Sequence, residues 1–276
     1  GWEHFMGLTT SPLVNGGQWT DDNSARHSAL LHRLLDIGEL LMASGAEVNR
    51  VEDTLTRMGK AYGASHMNVF VITTSIVITM IFPDGTERTQ TRRIRNGGST
   101  DFTLLEDLNA LSRRCCRQPL PIEDLKEQLE AIRSEPHSDF LYYAGNVVGA
   151  GSFTAFFAGT TADVIAASIL GLLVSAMRKR LGKITPTPVI DNFVGSFLTG
   201  CLLGGTVRAL PFLHMDAIMI GEVMLFVPGI AMTNAVRDVL SGDTMAGMMR
   251  LLESLLWTVA LACGFMASLA LINMLS

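Results

Sequence analysis

The residues of this chain best placed to do chemistry fall in one apolar stretch, 217–243, AIMIGEVMLFVPGIAMTNAVRDVLSGD. Glu222 lies several residues inside it, and an acid in hydrocarbon is costly enough to mark a proton or ligand site by default. It serves either as a neutral acid that carries a proton or as an ionised group facing water or a substrate cation. A structural acid bonded only to a neighbouring helix is the alternative. Pro228 lacks a backbone donor and crowds the carbonyl four residues back, that of Met224, while Gly229 loosens the chain further. A helix broken there exposes amides that bind a carboxylate and carbonyls that bind a cation, contacts that suit a zwitterionic amino acid. A plain packing kink would need the same pair.

Asn234, Arg237 and Asp238 follow at spacings that put them on or near one helix face. Asp191, Arg250 and Glu253 enter from neighbouring apolar runs at the same depth, so these six groups are expected to line a vestibule or, alternatively, to form interfacial ion pairs that fix helix ends. Asp163, Asp191 and Glu253 lie near helix ends, where local water relieves a charge. Glu222 does not, and fifteen residues, roughly 22 Å of helix, separate it from Arg237.

Other chemistry finds little support. His27, His32, His66 and His137 are scattered, and neither a nucleophile–base arrangement nor a glycine-rich phosphate loop is present. The four cysteines form no CxxC or Cys/His spacing, so no metal, cofactor or disulfide framework is expected, and a reduced compartment is the simplest reading. A formal charge of −5 argues against nucleic acid as a partner, and RRIR at 92–95 is too short to reverse that. Glu47, Arg50 and Glu52 form either a polar patch or a solvated helix face.

The elements that must position these groups divide the chain in two. Most of the charge lies before residue 139, and long apolar runs lie after it. Five runs, at about 140–159, 160–181, 189–208, 215–236 and 249–274, approach the length of about 20 residues that a membrane helix needs, and they lack barrel alternation. The basic joint Arg178, Lys179, Arg180 and Lys183 predicts a cytoplasmic loop, which puts the N-terminal half inside and Ser276 outside. Small residues at four-residue spacing, Ser196, Gly200 and Gly204 in the third run and Gly145 and Gly149 in the first, predict close helix packing within the chain or against another subunit.

The N-terminal half, residues 25–138, reads as a small cytoplasmic α+β domain. Residues 1–24 are expected to be disordered or in part non-native, with Met6 a candidate start. Leu30, Leu31, Leu34, Leu35, Ile37, Leu40 and Leu41 define one helix face, ended by Ser44-Gly45. A second helix is expected from Ala46 to Tyr62, with Glu47 in its first turn and Val48, Val51, Leu55 and Met58 buried. The β-branched stretch 67–82 breaks at Thr73-Thr74-Ser75 into two strands, and Pro83-Asp84-Gly85 leads into a third at 86–94, an antiparallel meander. Two more amphipathic helices, 101–117 and 121–134, flank Pro119 and Pro121.

Two stretches, GELLMASGAEVNRVEDTLTRMGKAYG at 38–63 with VITTSIVITM after it, and GEVMLFVPGIAMTNAVRDVLSGDTMAGMMRLLES at 221–254, resemble the threonine/serine exporter family. The resemblance extends from about residue 28 to 275. It implies a cytoplasmic domain on a five-helix membrane domain of the bacterial inner membrane, exporting small polar metabolites with the proton gradient. It also implies the larger component of a split form, whose further helices come from a small separate membrane subunit. Similar two-component systems export dicarboxylates such as succinate, so the substrate is open. A homo-oligomer is a further candidate assembly, and a cytoplasmic sensor or hydrolase domain merely anchored by the helices is the alternative function.

Overall fold

The computed structural model describes residues 17–94, 100–134, 138–185 and 187–274, with the side chains of 17–23 outside that description. Expectations for Met6, His137 and Ser276 fall outside the described residues.

The chain is mostly helical, with one small antiparallel sheet. α1 (Gly17–Ala43) and α2 (Val48–Ala61) are followed by β1 (His66–Ile72), β2 (Ser75–Ile81) and β3 (Glu87–Arg93), then α3 (Phe102–Arg117) and α4 (Ile122–Ser134). Strand order is β1-β2-β3, with Ile72 opposite Ser75 across the Thr73-Thr74 turn. The second turn holds Gly85 at φ 81°, a left-handed conformation that glycine adopts without a Cβ clash. Ile76, Ile78 and Met80 alternate inward on β2 and pack with Leu31, Leu34 and Leu35 of α1 and Val51, Leu55 and Met58 of α2 in one core.

Two expectations change here. α1 begins at Gly17, inside the segment expected to be disordered: once the apolar face at 30–41 has nucleated the helix, each added residue gains a backbone hydrogen bond at little cost. α2 begins at Val48, so Glu47 is its N-cap rather than part of its first turn, and its side chain makes no capping bond.

The second half comprises α5 (Asp139–Phe156), α6 (Thr161–Leu181), α7 (Pro188–Ala209), α8 (Met215–Met224), α9 (Gly229–Leu240) and α10 (Thr244–Met274). By length and apolarity α6, α7 and α10 can each cross a membrane, and the α8–α9 pair adds a fourth if it is one broken span. α5 is not among them; its 18 residues are diluted by Asp139, Asn146 and three glycines.

Small residues set how these helices approach. A Cβ on Gly200 would stand 1.9 Å from Ser268 Oγ, and one on Gly264 would stand 1.9 Å from Ser196 Oγ and 2.5 Å from the Phe193 carbonyl. The Ser196-Gly200-Gly204 face is therefore the α7–α10 contact. On α5 the close approach is made by Gly151, against Ser168 of α6, while Gly145 meets nothing within 4 Å.

Candidate functional site

α8 ends at Met224, the residue whose carbonyl Pro228 would crowd, and α9 restarts at Gly229 with the axis bent by 52°. The Gly229 N–H donates to the Val227 carbonyl at 2.8 Å, a tight turn rather than a helical bond. Arg178 of α6 reaches into this break. Its Nη1 donates to the Leu225 carbonyl at 2.8 Å, its guanidinium lies 4.4 Å over the Phe226 ring, and Nη2 stands 3.7 Å from Asp191 Oδ2. A carbonyl freed by the break is thus met by a cation. Arg178 reads in sequence only as the start of a basic joint; the signal for a deeper role is that α6 continues past it to Leu181.

A cavity of about 700 Å³ opens beside the break. Six of the expected site residues line it: Asp191, Pro228, Gly229, Asn234, Arg250 and Glu253. Arg178 joins them, so two guanidinium groups and two carboxylates face one space, with Leu225, Phe226, Val227 and Trp257 among its apolar walls. Asp191 also accepts from Thr185 Oγ1 at 3.3 Å. Met42, Gly45, Thr73 and Thr100 close the N-terminal side, so both halves of the chain build the cavity.

Arg237 and Asp238 lie outside it, held in a clamp between α9–α10 and the loop joining α1 to α2. Asn234 Nδ2 donates to the Gly45 carbonyl at 2.9 Å, and Arg250 Nη2 to the Ala46 carbonyl at 3.2 Å. Arg237 pairs with Glu47, and the Val48 N–H donates to Asp238 Oδ1 at 3.2 Å. Asp238 is buried and forms an ion pair with Arg250 at 3.0 Å, in contact but not aligned as a hydrogen bond. Four consecutive residues, Gly45 to Val48, therefore each engage α9 or α10. Gly45 makes this loop possible at φ 86°, where a Cβ would also press to 3.0 Å from Thr100 Oγ1. Glu47, Arg50 and Glu52 part company: Glu47 joins the clamp, Glu52 accepts from the Val71 N–H at 2.8 Å, and Arg50 is exposed on α2. Burial pushes the Glu52 carboxyl up from its ordinary value, while the Val71 N–H pulls it back and Asp243 adds to the rise.

Glu222 is on α8, before the break and off the cavity wall. It is fully buried, and neither carboxyl oxygen has a hydrogen-bond partner. Its neighbour Gly221 lets α8 press on α5, since a Cβ there would stand 2.1 Å from Thr154 Oγ1 and 2.7 Å from the Ala150 carbonyl. Asp163 is buried too, but its oxygens accept from the His214 N–H at 2.8 Å and from the Thr160 N–H and hydroxyl at 2.8 and 2.7 Å, with His214 Nδ1 at 3.0 Å. The two buried acids differ in kind: Asp163 caps α6 and ties down the joint before α8, whereas Glu222 is left without an internal partner. Among the described residues no cluster of three His, Cys, Asp or Glu could hold a metal ion, and all four cysteines are free.

Residues 32–272 match the family described as "Putative threonine/serine exporter". A Mycobacterium tuberculosis protein named "Probable threonine/serine exporter" is 21% identical over 87% of this chain, which spans 46% of that relative's length. Two proteins named "Probable succinate transporter subunit YjjP" are also similar: that of Klebsiella aerogenes at 23% identity over 84% of this chain and 89% of its own length, and that of Escherichia coli at 25% over 88% and 94%. No solved structure matches the chain. With the family match running from α1 to the last turn of α10, the chain belongs to the threonine/serine exporter family, a family of membrane transporters.

Proposed function

We propose that this chain is the larger component of a bacterial inner-membrane exporter that moves small polar metabolites, threonine or serine, out of the cytoplasm against a returning proton. In this reading α5, the broken α8–α9 pair and α6, α7 and α10 make five crossings, α5 covering about 27 Å by its rise of about 1.5 Å per residue. The basic end of α6 faces the cytoplasm, and so does the unit formed by α1 to α4 and the sheet, with α10 ending outside. A small separate membrane subunit supplies the remaining helices. The YjjP relatives, each named a transporter subunit and spanned almost whole by this chain, support that arrangement.

The observation that carries the reading is the cavity at the break, with Arg178 and Arg250 facing Asp191 and Glu253. An amino-acid carboxylate is held by a guanidinium group and its ammonium by a carboxylate, next to the apolar walls. Glu222 carries the proton. A charge there has no partner in the present packing, so ionisation demands water, a cation or movement of α8 against α5. Because α8 leads directly into the break, such movement reshapes the cavity.

Succinate is the second reading, favoured by the names of the YjjP relatives and by the two cavity arginines, which would hold two carboxylates. Vesicles containing the chain and its partner, loaded with labelled threonine or succinate, separate the two. Threonine release accelerated by an inward proton gradient supports the first. Succinate release with no threonine flux overturns it in favour of the second.

A further inference from the structure

Apart from the cavity and its clamp, α2 and α3 pack side by side and leave between them a groove of about 340 Å³. Arg50 and Arg57 stand seven residues apart on α2, and Arg113 and Arg117 four apart on α3, so each pair lies along one helix face and both line the groove. A second hollow of about 430 Å³ continues past Arg113 and Arg117 to Arg114. The acid in the groove wall, Asp53, is already engaged by Arg57 at 2.9 Å. Among the described residues Arg50, Arg113, Arg114 and Arg117 have no ion-pair partner.

Like charges at i, i+4 repel, and facing them with a second row of the same sign adds to the cost. In a chain of net charge −5 this concentration does not follow from composition. Guanidinium groups are planar forks with paired donors that match phosphoryl oxygens, and several around one oxyanion make strong, charge-assisted bonds. A single monocarboxylate would neutralise only one of the three groove charges, those of Arg50, Arg113 and Arg117, that Asp53 leaves uncompensated. Thr54 adds a hydroxyl to the same wall.

We propose that the α2–α3 groove binds a phosphoryl oxyanion carrying two or more negative charges, held between Arg50 and Arg57 on one wall and Arg113 and Arg117 on the other. The oxyanion comes from a soluble phosphate-bearing metabolite or from the headgroup of an anionic lipid. This site is independent of the transport reading, because none of its arginines lines the cavity at the break.

The test uses the full chain purified in detergent, titrated calorimetrically with pyrophosphate at low salt. Cardiolipin, an anionic lipid whose headgroup holds two phosphates, is quantified in parallel as the lipid retained through purification. Wild type is compared with the double variant Arg113→Gln/Arg117→Gln, with each single variant, and with Arg133→Gln on α4 as a control outside the groove. Pyrophosphate binding that weakens at least tenfold in the double variant and not in the control supports a soluble ligand. Absent pyrophosphate binding, with cardiolipin retention that falls in the groove variants alone, supports a lipid headgroup at the same site. Equal pyrophosphate affinity in wild type and groove variants, or neither ligand bound, overturns the proposal. If the double variant does not fold, the single variants decide by the same comparison, since each removes one exposed charge.

Discussion

At the scale of single residues, Arg178 shows how one side chain joins a helix break to the cavity beside it. It satisfies the Leu225 carbonyl, lies over Phe226 and faces Asp191. Its removal would leave both a backbone acceptor and a cavity acid without their cation. Arg178→Gln is expected to lower metabolite flux in vesicles at least tenfold, with Arg178→Lys keeping part of it because charge survives without the fork. Glu52 gives a different kind of prediction, about stability. Its carboxyl is raised by burial from an ordinary value near 4.5, so the folded state takes up a proton more readily than the unfolded chain. The group therefore stabilises the fold below pH 4.5, and that contribution is lost as pH rises through the folded value. Glu52→Gln, which keeps an acceptor for the Val71 N–H, should show a smaller gain in melting temperature than wild type on acidification toward pH 4.5. An unchanged gain would show that Glu52 does not contribute to the pH dependence of stability. The burial of an acid at Glu222 was legible in sequence because an acid in an apolar run is rare. Arg178 was not, because a cation at the end of an apolar helix is what any cytoplasmic joint looks like.

Among elements, local signals and distant ones fared differently. The meander, the turns at Thr73-Thr74 and Pro83-Asp84-Gly85, and the break at Pro228-Gly229 follow from residues whose preferred conformations act within four positions, and they lie where their sequence places them. The clamp does not, since Gly45–Val48 meets partners about 190 residues or more away on α9 and α10, and no local pattern announces a contact between segments so far apart. The N-terminal extension of α1 escaped for the opposite reason: its residues carry no apolar stripe, and the helix beyond them sustains it. Glycine spacing was half informative. It identified the α7–α10 face but picked Gly145 and Gly149 on α5, where Gly151 makes the close contact. Two substitutions test this packing directly. Gly264→Ala places a methyl against the Phe193 carbonyl and the Phe197 amide, and should lower stability by about 1–3 kcal/mol, the usual cost of overpacking. Gly205→Ala enters open space on the same pair of helices and should raise it by about 0.5–1 kcal/mol through helix propensity. Thermal unfolding in one detergent ranks the two, and a Gly264 variant as stable as Gly205→Ala would contradict the α7–α10 interface.

For the whole molecule, the arrangement couples a helical and sheet unit to the bent α8–α9 pair across one cavity. The family match runs through both halves. The clamp gives that continuity a physical content, because the loop from α1 to α2 holds α9 and α10 at the side of the cavity. Movement at the break must then be felt by the N-terminal unit. In the proposed transporter Glu222 carries the coupled proton while the cavity carries the metabolite, and flux in vesicles containing the chain and its partner separates the two roles. Threonine exchange without a gradient and threonine release driven by an inward proton gradient are compared for wild type and Glu222→Gln. Exchange that persists in the variant while acceleration by the gradient disappears is the predicted result. A variant that responds to the gradient as wild type does would rule out Glu222 as the proton carrier.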